Sequence, residues 1–137
     1  MLFVIFKIWE VKEIMYPIFE GEVVHGLKMG TLLGFPTANV ETTSENIPQD
    51  GVYIVQIAIG ELRYYGIMSI GNRPTFEATV RTIEVHFLNF SGNLYQQLLK
   101  IKPLLFIRGN KKHESVEQLI AQLKADSEMA QKYIQNL

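Results

Sequence analysis

At 137 residues, 47% of them hydrophobic and 20% charged, the chain is long enough to bury one real core and too apolar to be disordered. Its formal net charge of −1 gives no general electrostatic basis for holding nucleic acid or an anionic membrane, so neither partner is expected and only a local basic pocket remains. The absence of cysteine excludes disulfides, thiolate catalysis and cysteine-ligated metal, which fits a cytoplasmic protein.

The chain opens on "MLFVIFKIWEVKEIMYPIFEG", an apolar run that Lys7 interrupts. It lacks the positive n-region and small-residue cleavage site of a secretory signal, and it is far short of the ~20 apolar residues that span a bilayer. Residues 1–18 read as an N-terminal extension or the remnant of a linker ahead of a single domain. "YPIFEGEVVHG" then reads as a strand ending in glycine.

The next stretch is rich in glycine. Gly26, Gly30 and Gly34 surround Lys28, which suits either a phosphate-cradling loop or a plain connection between strands. It is neither a Walker A loop nor a Rossmann fingerprint, because both spacings are wrong. "GFPTAN", residues 34 to 39, combines a permissive glycine with a proline that fixes φ. If the segment is extended, Thr37 and Asn39 share one face and suit a phosphate-bound cation. The local pattern by itself favours an ordinary turn.

"GVYIVQIAIG" and "ELRYYGIMSIG" are β-prone runs meeting at Gly60-Glu61, a pair suited to a tight type II′ hairpin. "RTIEVHFLNF" is another strand, closed by Ser91, Gly92 and Asn93; its Asn89-Phe90-Ser91 matches a glycosylation triplet by chance. Glu84 lies in that strand with Ile83, Val85 and Phe87 on the opposite face. It is either a solvent-facing carboxylate or a general base aimed into a cleft. His86 shares its face, and His25, His86 and His113 have no metal-ligand spacing. "LYQQLLKIKPLLFIR" is one or two strands, with Pro103 at an edge, a break or a bulge.

Arg108, Lys111 and Lys112 in "FIRGNKKHES" form either a solvated basic loop or a lid over a planar polar ligand. From Ser115 the period becomes helical through Val116, Leu119, Ile120, Leu123, Ala130, Tyr133, Ile134 and Leu137. Ser115 and Gln118 make a capping box. Many strands followed by one terminal helix predict a β-barrel or sandwich with the helix packed on it.

The ordered segments "GEVVHG", "LGFPTANV", "DGVYIV", "YGIMSIGNRPTF", "IEVHFLNF", "LY", "IR" and "LIAQLKAD" together resemble the riboflavin kinase family. The resemblance runs from about Phe19 to Ile134. It implies a mainly β fold, a six-stranded Greek-key barrel with a C-terminal α-helix, and ATP-dependent phosphorylation of riboflavin to FMN. By the same resemblance, Thr37 and Asn39 hold Mg²⁺, and Glu84 is the catalytic base for the ribityl 5′-hydroxyl. Nucleotide contacts fall on Gly26, Lys28, Gly34, Thr37, Phe87, Asn89 and Tyr95, and flavin contacts on Arg108, Lys111 and Val116. In bacteria this domain is often joined to an FAD synthetase domain, so a covalently linked partner domain is consistent with the resemblance.

Some positions depart from the family pattern. Thr31-Leu32 stands where the family commonly has Arg or Lys, removing a phosphate-side cation that Lys28 would have to replace. His113 occupies a position that is usually aromatic, and Asn89 falls at a variable one. The competing expectation is a non-catalytic flavin- or nucleotide-binding regulatory module on the same barrel. Retention of Thr37, Asn39 and Glu84 together favours the enzyme.

Overall fold

Alternating burial along β1 (Phe19–Val24) sends Phe19, Gly21 and Val23 inward and leaves Glu20 and Glu22 outside. The computed structural model describes residues 15–24, 37–74, 79–90 and 92–137. The further strands are β2 (Thr37–Glu41), β3 (Gly51–Ile59), β4 (Leu62–Pro74), β5 (Thr79–Leu88) and β6 (Leu98–Arg108), followed by the helix α1 (Val116–Gln135). All pairings are antiparallel, and the ring closes in the order β1-β2-β5-β4-β3-β6. β3, β4 and β5 form a meander, and β6 returns beside β3, which is a Greek key. This is the expected barrel with its terminal helix. No helix among the described residues is long and apolar enough to cross a membrane.

β3 and β4 together explain how the helix attaches. Tyr53, Val55 and Ile57 fill the barrel interior with Val23, Val40, Met68, Ile70, Val85 and Leu99. Val52 and Ile54 face the other way, into a second cluster with Ile67, Leu88 and Ala130, against which Tyr65, Tyr133 and Ile134 pack. The strand is therefore apolar on both faces, as "GVYIVQIAIG" is. Each fully buried isoleucine along it contributes about 1.5–3 kcal/mol.

The hairpin turn after β3 has the expected geometry. Gly60 has φ +59° and Glu61 does not have a positive φ, so the first central residue alone takes the left-handed region, as type II′ requires. β6 is one strand, and its pairing with β3 shifts register between Ile54 and Val55, beside Pro103, and again between Val52 and Tyr53. Pro103 thus sits at a bulge. At the helix start, Ser115 accepts from the Gln118 N–H, while Gln118 Oε1 accepts from the N–H of Glu114, one residue outside the expected box.

Two local readings are corrected. The turn favoured for residues 34–39 fails from Thr37 onward, because Thr37–Glu41 is a strand held by β1 on one side and β5 on the other. Hydrogen bonding from both neighbours outweighs the local turn preference. The turn chemistry appears later, where the Ser44 N–H donates to Thr42 Oγ1 and the Asn46 N–H to Ser44 Oγ. Likewise β5 stops at Leu88, ahead of the expected Ser91, because Asn89 adopts φ +56°.

Gly51 opens β3 with φ +149°, and a Cβ there would lie 2.5 Å from Phe106 Cε2 and 3.1 Å from the Arg108 carbonyl oxygen. Gly51→Ala is expected to cost about 1–3 kcal/mol in urea unfolding. An unchanged midpoint would mean that the backbone at position 51 relaxes out of this φ and the Phe106 ring swings aside.

Candidate active site

Strand pairing assembles a patch from residues distant in sequence. Ala38 and Val40 of β2 pack inward, as do Ile83, Val85 and Phe87 of β5, so Thr37, Asn39, Glu84 and His86 share the outer face. Asn39 lies directly opposite Glu84, and Thr37 opposite His86. On the far side of β5, Ser69 of β4 is the register partner of Glu84. Opposed residues have Cβ atoms about 4.5–5.5 Å apart. The row continues through Val52 to Arg108.

Asn39, Glu84 and Ser69 are half-buried. Asn39 Oδ1 is shielded from solvent and has no hydrogen-bond partner among the described residues; Glu84 Oε1 is shielded too. A buried acceptor left open is costly, so it marks a place where a donor or cation belongs. The described residues contain no cluster of three or more His, Cys, Asp or Glu able to hold a metal. Neutral oxygens from Thr37 and Asn39 fit a cation that takes its other ligands from water and phosphates.

The remaining candidates are dispersed. Phe87 faces the interior, 7% exposed, with Tyr64 and Phe90 against its ring. Asn89 and Tyr95 are exposed on the connection after β5. Gly26, Lys28 and Gly34 lie outside the described residues, as do His25 and the Thr31-Leu32 departure. Arg108 is three strand steps from Glu84, about 14 Å around the barrel. Lys111 is exposed, its Nζ 3.4 Å from Gln122 Oε1, and Val116 is exposed at the start of α1.

Arg108 is held firmly. Its Nε and Nη2 donate to Asp126 Oδ1 and Oδ2 at 3.1 and 2.8 Å, and Gln122 Nε2 donates to Asp126 Oδ1 at 2.8 Å. Asp126 is only 3% exposed. The sequence reading missed it, although a signal was present: Asp126 falls three residues after Leu123 and four before Ala130, on the apolar stripe. Ser69 was missed for a different reason, since only strand register brings it to Glu84.

Barrel and patch together define a closed Greek-key barrel protein with an oxygen-rich face on β2 and β5. The family model described as riboflavin kinase, Flavokinase, matches residues 15–134, and the chain belongs to that family. It is 37% identical over 120 residues to the bifunctional riboflavin kinase/FMN adenylyltransferase of Haemophilus influenzae, covering 86% of this chain and 38% of that protein. The chain thus spans under two fifths of the length of that curated relative. The crystal structure of a macrolide-efflux protein from Streptococcus pneumoniae superposes with TM-score 0.77 at 36% identity, over 83% of this chain and 38% of that one. The riboflavin kinase of Trypanosoma brucei shares the fold, with TM-score 0.61 at 23% identity over 86% of this chain and 79% of the other.

Proposed function

We propose that the chain transfers the γ-phosphoryl group of ATP to the ribityl 5′-hydroxyl of riboflavin, giving FMN and ADP. The observation that carries this reading is the placing of Asn39 directly opposite Glu84 on the outer face of β2 and β5, in a chain of this family. Glu84 accepts the hydroxyl proton as the oxygen attacks phosphorus and the bond to the ADP oxygen breaks. Phosphoryl transfer needs positioning and charge neutralisation more than covalent chemistry. Thr37 Oγ1 and Asn39 Oδ1 would hold Mg²⁺, which when bound neutralises phosphate charge.

In this reading Gly26, Lys28, Gly34 and Thr37 serve the nucleotide, with Asn89 and Tyr95 at the rim. Phe87 supports them from the core side of β5. Arg108, Lys111 and Val116 serve the flavin, with Arg108 acting as a fixed wall because Asp126 already holds its guanidinium. The setting is cytoplasmic, and the names of the relatives point to an adenylyltransferase domain as the natural covalent neighbour.

Incubation with riboflavin, ATP and Mg²⁺ followed by chromatography should yield FMN. Bound but unconverted riboflavin would instead make the chain a flavin-binding module. Thr37→Ala and Asn39→Ala should each raise the Mg²⁺ needed for half-maximal rate by about 10–100-fold, the loss typical when a metal site is weakened. Excess Mg²⁺ should recover part of the rate. A wild-type Mg²⁺ dependence in both variants, with unfolding midpoints intact, would make Thr37 and Asn39 purely structural.

A further inference from the structure

β3 begins at Gly51, which pairs with Ile70, so β4 beyond Ile70 has a partner only on its β5 side. At the point where β3 runs out, Asn110 Nδ2 donates to the Ile70 carbonyl oxygen at 2.9 Å. Ile70 is the last residue of β4 paired with β3, and the side-chain amide adds a donor from the loop to its carbonyl at the point where that pairing ends. The approach is close: a Cβ on Gly71 would lie 2.7 Å from Asn110 Nδ2 and 3.4 Å from its Cγ. The absence of a side chain at position 71 is what admits the amide.

We infer that Asn110 is a positioning residue, a clamp that fixes the root of the β6–α1 loop on β4 and thereby sets where riboflavin lies relative to Glu84. The loop leaves the barrel at Arg108, which Asp126 ties to α1. Two residues later Asn110 ties it to β4, so its root is held from both sides. Past that point Lys111 makes a long, exposed contact to Gln122, and the loop is next tied at Glu114, whose N–H donates to Gln118 Oε1. The clamped carbonyl belongs to Ile70, the residue after Ser69, and Ser69 is the register partner of Glu84. A shift of the loop root is therefore a shift relative to the strand beside the base. This inference rests on the riboflavin kinase reading.

The test uses substitutions that separate donation from bulk. Asn110→Asp keeps the shape but offers no N–H to the carbonyl, and Gly71→Ala pushes the amide away. Each should raise the riboflavin KM by about threefold to tenfold, the effect of losing one hydrogen bond, with the MgATP KM unchanged. Asn110→Gln, which retains the donor, should recover part of the loss. Hydrogen exchange on the unliganded protein should quicken at residues 109–114 in Asn110→Asp and stay unchanged in the strands. An unaltered riboflavin KM, or equal rises in both KM values, would overturn the clamp. Should the wild type form no FMN, the functional reading falls, and wild-type exchange in Asn110→Asp would then overturn the clamp separately.

Discussion

Glu84→Gln is expected to reduce FMN formation by about 10²–10⁴-fold, the usual worth of a general base, with nucleotide binding nearly intact. The amide has the shape of the carboxylate but cannot take the hydroxyl proton. The flanking strands are rigid, because Val85 is fully buried beside Glu84 and both neighbours of β5 are paired through this row. The loss should therefore appear in kcat with little change in the unfolding midpoint. Near wild-type turnover would remove Glu84 from proton transfer and leave positioning to carry the reaction.

Asp126→Ala should lower stability by about 3–5 kcal/mol, because it strips a mostly buried guanidinium of its counter-charge. The Arg108 side chain is 18% exposed and that of Asp126 4%. The carboxylate accepts from Arg108 and from Gln122, so its removal opens several donors at once. The residual exposure of Arg108 lets it turn toward water, which favours the lower end of that range. Replacing both partners by apolar residues, as in Arg108→Met with Asp126→Leu, should recover much of the loss. Urea titration of the single and double variants reads this directly. A single variant as stable as wild type would show that the pair behaves as an exposed one.

Much of this architecture is legible in the chain. The Gly60-Glu61 hairpin, the bulge at Pro103 and the cap at Ser115 are local devices, and local chemistry specifies them. The doubly apolar run of β3 also foretells that something must cover its outer face. β2 is different: its extended form depends on β1 and β5, so six residues of turn-prone sequence misdirect. Family resemblance supplied Thr37, Asn39 and Glu84 as a set. Register then showed Asn39 and Glu84 to be opposed, and added Ser69. Asn110 could not be found from sequence, since its partner is a main-chain oxygen forty residues away, at the last pair of β3 with β4.

The two-sided burial of β3 bears on how the chain can drift. Along β1 every second position faces water, and exchanges among polar residues there are nearly neutral. From Gly51 to Val55 no position faces water, so no phase of the strand tolerates a charge. Substitution there must conserve volume on one side against the barrel filling and on the other against α1. Variation in the helix stripe at Ala130 is therefore bound to variation across the shared cluster, at Val52, Ile54 and Ile67, and changes at these places should be inherited together.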